Sequence, residues 1–271
     1  MTPQFASAFG RRPALAVGAA LALAIAVVAL LPGLFAPQPP NAIDVGRALL
    51  PPSAEHWFGT DHVGRDVYTR VVHGARVTLG IVAGSLALSA LFGGVAGTIA
   101  GYLRGWSDLF SGQFVEVILS FPPIFLGVMI TGIIGSNVAN LMLALSIVYL
   151  PLFFRAARSA AMVESARPYV EAAQVLGAGD GRILFRHLLP NVLPAVLTQY
   201  IILFPLALQI QAALGFLGLG VQPPTPDWGA SLQESKDYVL YASWTAIFPG
   251  LALVTSSLAV ILIGRGLQSR T

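Results

Sequence analysis

Apolar residues in this chain come in long blocks separated by short polar segments. Residues 14–31 form an uncharged run of eighteen, about the minimum that carries a helix across the hydrocarbon core of a bilayer. Further blocks at 77–103, 114–134, 138–154, 195–216 and 244–264 are each of spanning length. The pattern predicts an all-α integral membrane protein with six transmembrane helices. A cleaved signal peptide is the rival reading of the first block. The block exceeds the usual apolar core of such peptides, roughly 7–15 residues, so an uncleaved anchor is expected.

The blocks differ in kind. The second carries Gly80, Gly84, Gly93, Gly94, Gly97 and Gly101, several at the four-residue spacing that lets helices approach closely in lipid. It is therefore expected at the centre of the bundle. The third is broken by Phe121-Pro122-Pro123, and the fifth holds Gln199, Pro205, Gln209 and Gln211. These three are expected to line a pathway.

The polar segments assign the sides. A tail at 1–13, the connection 104–113, the stretch 155–194 and a tail at 265–271 hold Arg11, Arg12, Arg104, Arg155, Arg158, Arg167, Arg182, Arg186, Arg265 and Arg270. The opposite side, with loops 32–76 and 218–243, holds Arg47, Arg65, Arg70, Arg76 and Lys236. The two-to-one excess predicts that both termini and the 155–194 segment are cytoplasmic. That segment reads as a compact knob. Pro168 suits the first turn of a short helix, and Gly177 ends it in a left-handed conformation. Asp180 caps a second short helix that Pro190 terminates. In loop 32–76, Trp57, Phe58 and Tyr68 suit the headgroup level. Asp61, Arg65, Asp66 and Arg70 are expected to form an ion-pair network beside the turn glycines Gly59 and Gly64.

Composition narrows the function. Hydrophobic residues make up 56% and charged residues 10%, against roughly a quarter charged in soluble domains. The basic pI reflects residues at membrane edges and does not imply nucleic acid. Without cysteine there is no thiol chemistry, disulfide or thiolate metal site. The one lysine, Lys236, follows Ser235, so the Gly-Lys-[Ser/Thr] of a phosphate-binding loop is absent. His56, His62, His73 and His187 show no metal-binding spacing. Glu116 is the sole acidic candidate in the spans and has no partner at helical spacing, which argues against an intramembrane enzyme. An ion-coupled secondary transporter, which ordinarily needs buried ionisable groups, is the alternative of another class.

Three stretches carry a resemblance. Tyr169-Val-Glu-Ala-Ala-Gln-Val-Leu-Gly-Ala followed by Arg186-His-Leu-Leu-Pro-Asn resembles the EAA loop of ABC-importer permeases, with Glu171, Ala172, Ala173, Gly177 and Leu189-Pro190 on its pattern. The stretch from His56-Trp-Phe-Gly-Thr-Asp to Gly74-Ala-Arg is similar to a signature of C-type dipeptide/oligopeptide permease subunits, with Thr69 for the usual Ser. Residues 216–229 resemble a further peptide-permease signature, with Gln211 for the usual Glu and Gly215 for the usual Ser just before it. The tail reads Gly264-Arg-Gly-Leu-Gln where the family often has an Asp.

The resemblance implies a type I importer permease whose core spans 77–264, in a bacterial inner membrane. It also implies a second permease subunit, two cytoplasmic ATP-binding subunits that hold the ATP and Mg, and an extracytoplasmic substrate-binding protein. No cofactor or metal is expected on this chain. The implied coupling residues are Glu171, Ala172, Ala173, Gly177, Arg182, Arg186, His187 and Pro190. The implied loop signature is Gly59, Asp61, Gly64, Arg65 and Asp66. Di- or oligopeptides are the expected cargo, with a nickel complex as the alternative.

Overall fold

The computed structural model describes residues 11–267; the tail through residue 10, and the last four residues with Gln268 and Arg270, lie outside the described residues. Nine helices of eight residues or more organise the described residues, besides single turns of helix at Pro32–Phe35 and Val45–Arg47. They are α1 (Arg11–Leu30), α2 (Val67–Leu103), α3 (Gly105–Leu119), α4 (Pro123–Ile134), α5 (Val138–Glu164), α6 (Pro168–Val175), α7 (Asp180–Phe216), α8 (Trp228–Ser235) and α9 (Trp244–Leu267). Five of them are long and apolar enough to cross a membrane. The bent pair α3–α4, with a 92° break between Leu119 and Pro123, counts as a sixth crossing when the two are taken as one span. The expected third span is thus two helices set nearly at right angles, because neither Pro122 nor Pro123 can donate to the ladder.

The other boundaries shift outward. α2 begins ten residues before the expected 77, because Asp66 caps it and accepts from Thr69 N at 2.8 Å and Thr69 Oγ1 at 2.7 Å. Polar residues 67–76 continue the helix since Arg70 is buried in an ion cluster. α5 runs on through Arg155 and Arg158 to Glu164. Pro190 does not end a helix. Residues 180–189 flow directly into the fifth span, and Ile183–Leu188 is π-helical, with Leu189 N donating to Leu184 O. The wider turn relieves the clash between the Pro190 ring and the preceding carbonyls. The cap of that helix is Gly179, and Asp180 has another task. What stays outside the long helices is only the stretch from Ser165 to Gly179.

The core lies among α2, α5 and α7, where Ile81, Leu86, Leu141, Leu145, Phe153 and Leu208 are fully buried. The glycines of α2 set that packing. A β-carbon at Gly97 would stand 2.3 Å from Phe154 O; at Gly101 it would stand 2.5 Å from Arg158 O, and at Gly93 2.6 Å from Leu150 O. Gly84, Gly93, Gly97 and Gly101 of the stripe pack against α5, Gly94 faces Val196 of α7, and Gly80 meets open space. α1 lies against α9, where Gly18 touches Leu262.

Candidate functional site

Two polar regions lie at opposite ends of the bundle. At the knob end, Pro168 opens α6 and Arg167 is its cap residue. Gly177 has φ +79°, and its N–H donates to Gln174 O at 2.9 Å while Ala178 N–H donates to Ala173 O at 3.0 Å. These two bonds satisfy the end of α6 and reverse the chain toward α7.

α6 is mounted rather than loose. Val170 packs into a buried cluster with Ile183, Leu184 and Leu188 of α7, against Ile99 and Tyr102 of α2. The Tyr102 hydroxyl donates to Asp180 Oδ1 at 2.8 Å. The Tyr169 hydroxyl donates to Glu164 Oε1 at 3.0 Å and accepts from Asn191 Nδ2 at 3.1 Å. Burial holds that phenol above its usual range. These bonds tie α6 to α2, α5 and α7 together.

Of the coupling residues, Glu171 and Ala172 are exposed, and Ala173 is half-buried against α7. Arg182, Arg186 and Pro190 are exposed on α7, and His187 sits beside Tyr169 with ring centroids 6.4 Å apart. Val175 and Leu176 at the tip are 83% and 87% exposed. The tip of α6 is thus apolar, exposed and firmly mounted.

The loop end is built around buried charge. Arg65 Nε bonds Asp61 Oδ2, and Arg65 Nη2 lies 2.8 Å from Glu234 Oε2. Arg70 Nη2 reaches the same Glu234 oxygen at 3.4 Å and its Nε lies 3.8 Å from Asp61. Two arginines and two carboxylates therefore neutralise one another and bind loop 32–66 to α2 and α8. Asp66 stands apart from this network: besides capping α2 it pairs with His56 Nδ1 at 3.0 Å. Gly64 has φ +80° and leaves no room for a β-carbon, which would stand 1.7 Å from Asp44 O. Gly59 has φ +73° and packs under Trp244. Phe58 stacks on Phe248 of α9 at 3.8 Å. Asp61, His62 and Glu234 bring ligand atoms within 4.8 Å of one another. Both carboxylates already face arginine, so the group is a structural ion cluster.

A second node lies beneath. Asp227 is fully buried and accepts from Thr78 Oγ1 at 2.6 Å, Gln211 Nε2 at 2.8 Å and Ala230 N at 2.9 Å. It caps α8 and joins it to α2 and α7. Burial raises its carboxyl above the ordinary aspartate range. Gln211 Oε1 is buried without a partner.

Several of these partners lay outside the expected sites. Glu234 and Tyr102 sit in stretches with no marking pattern, and the ion pair of Arg158 with Asp108 spans fifty residues. Asp227, placed three residues before Ala230, has the cap spacing and was legible.

The family model for the binding-protein-dependent transport system inner membrane component matches residues 93–271, a stretch that holds the whole knob. The chain belongs to this family. It is a multi-pass membrane permease, and ATP hydrolysis is the task of other subunits of such importers. It is 41% identical over 217 residues to the dipeptide transport system permease protein DppC of Alkalihalophilus pseudofirmus, covering 80% of this chain and 71% of that protein. It is 36% identical to the di/tripeptide transport system permease protein DppC of Pseudomonas aeruginosa, covering 98% and 89%. The glutathione transport system permease protein GsiD of Pectobacterium atrosepticum is 36% identical, covering 94% and 85%.

Proposed function

We propose that this permease carries di- or oligopeptides inward, driven by cytoplasmic ATPases that grip α6. The observation that carries the reading is the rigidly mounted, exposed tip of α6. Small Ala172 lets a groove approach closely, Val175 and Leu176 supply apolar area, and Glu171 supplies a charge for an arginine or a backbone donor. Arg182 and Arg186 flank it. Gly177 lets α6 and the start of α7 move as one piece. ATP and Mg belong to the two partner ATPases, and this chain binds no cofactor.

Closure of the ATPases would push α6, and the bonds through Tyr102, Asp180 and Tyr169 would pass the push to α2, α5 and α7. The bundle would then rock between inward- and outward-open states. The excess of arginine at the knob end supports a cytoplasmic position for that end and for both termini. The loop end, stiffened by its buried ion cluster, is then the surface offered to a substrate-binding protein. Exposed Phe110, Phe114, Phe125 and Met129 on α3 and α4 form the face for a second permease subunit, with the pathway between the two. The relatives' names support peptide as the cargo, including a tripeptide such as glutathione.

Affinity purification of the chain in mild detergent, with mass spectrometry of what co-purifies, tests the assembly. Recovery of an ATPase with a phosphate-binding loop and a second six-span permease is expected. Transport by the chain alone in vesicles, driven by an ion gradient, would overturn the reading in favour of a secondary carrier. Peptide uptake by the reconstituted assembly, against uptake of a nickel complex, tests the cargo.

A further inference from the structure

Near the loop end, α1, α2, α7 and α9 do not close on one another. They leave a cleft of about 340 Å³, lined by Ala22, Ala26 and Ala29 of α1, Leu79 and Gly80 of α2, and Ala259 of α9, among others. Arg76 and Ser256 are its only polar lining residues. The cleft is open at the surface, and its lining suits an apolar occupant. Arg76 and Leu30 also border a wider depression of about 620 Å³, with Pro32, Leu34, His73 and Pro226, where the chain leaves α1. The two spaces share Leu30 and Arg76 in their linings, and the first is the more apolar of the two.

Arg76 differs from the other arginines at this end. Arg47, Arg65 and Arg70 each face a carboxylate. Arg76 is exposed and has no ion pair or hydrogen bond among the described residues. An unpaired guanidinium at a membrane edge is matched by a phosphate, which accepts its planar fork in a bidentate pair.

We propose that the cleft holds one acyl chain of an anionic phospholipid from the leaflet at the loop end, with its phosphate on Arg76. Length supports this. The lining of α1 from Ala22 to Leu30 runs about 12 Å at 1.5 Å per residue, within the roughly 15 Å of one leaflet's hydrocarbon. An acyl chain is an apolar occupant that this lining suits, with Arg76 at its edge for the headgroup. The lipid would fill the junction between the α1–α9 pair and the α2–α7 core, and so join two layers that otherwise touch only in part.

Native mass spectrometry of the full chain with its co-purifying partners, titrated with phosphatidylglycerol or phosphatidylcholine, tests this. One phosphatidylglycerol per chain should be retained, about fivefold more tightly than phosphatidylcholine, the weight of one basic residue near an anionic surface. Arg76→Gln should remove that preference and Arg76→Lys should keep most of it. A β-carbon at Gly80 meets no atom within 4 Å, so Gly80→Leu should insert normally, fill the cleft and weaken both lipids. Retention unchanged in Arg76→Gln would overturn the proposal. So would retention unchanged in Gly80→Leu, which would place the lipid on the surface, or disulfide trapping of a second permease chain by Ala26→Cys.

Discussion

Asp227 shows what one carboxylate does in this bundle. It holds α2, α7 and α8 through three neutral donors, and burial favours its protonated form. Its folded pKa lies above the unfolded value near 4. The stabilisation is therefore complete below that value and is lost as pH rises through the raised pKa. Thermal stability of the purified chain should fall as pH climbs from about 4 through the raised pKa of Asp227, and Asp227→Asn should flatten that slope. The asparagine can still accept from Ala230 N. Its amide can donate to Gln211 Oε1, which now lacks a partner, once that side chain turns over. A slope unchanged in Asp227→Asn would refute the assignment. Glycines of α2 offer a paired test. Gly97→Val drives a side chain into the α5 backbone and should cost at least the ~1–3 kcal/mol of an overpacked core. Gly80→Ala meets only open space, and it should leave stability equal or raise it by up to ~1 kcal/mol. Thermal midpoints in detergent distinguish the two.

Among the elements, α6 and the start of α7 depend on backbone geometry more than on side-chain identity. Gly177→Val places a β-branched residue at φ +79°, a conformation that costs roughly 1–2 kcal/mol. The variant should insert in the membrane and keep its partners, with ATP hydrolysis uncoupled from uptake. Full transport would sink the coupling account. The link from α2 to the start of α7 gives a second readout. Tyr102→Phe removes the bond to Asp180 and keeps the ring in its apolar cluster. Uptake per ATP hydrolysed should fall while total ATPase activity persists. Equal coupling in the variant would show that packing alone transmits the push. Helix boundaries were less legible than helix identities. The π-helical turn that carries the chain through Pro190, the break at Pro122-Pro123 and the early start of α2 each follow from how turns and caps pack. A proline reads as a stop wherever its neighbours are unknown.

For the whole molecule, topology is the claim to test, and the absence of cysteine makes it accessible. Ala54→Cys lies in exposed loop 32–66, and Gly179→Cys lies between α6 and α7. A membrane-impermeant maleimide should label the first in intact cells and the second only after permeabilisation. The reverse pattern would invert the orientation.

The sequence by itself determined the class of the protein. Apolar blocks of spanning length leave no alternative to membrane helices once every backbone group must be satisfied in lipid. The absence of a phosphate-binding loop put ATP on another chain, and the run from Pro168 to Gly177 encoded α6 through local rules of first-turn proline and left-handed glycine. Only the tertiary structure decided which charges meet. Glu234 lies 169 residues from Arg65 and Arg158 lies fifty from Asp108. The lipid-sized cleft exists because four helices diverge there. Local signals act over one or two turns of helix, whereas ion pairs and cavities depend on where separate spans come to rest against one another.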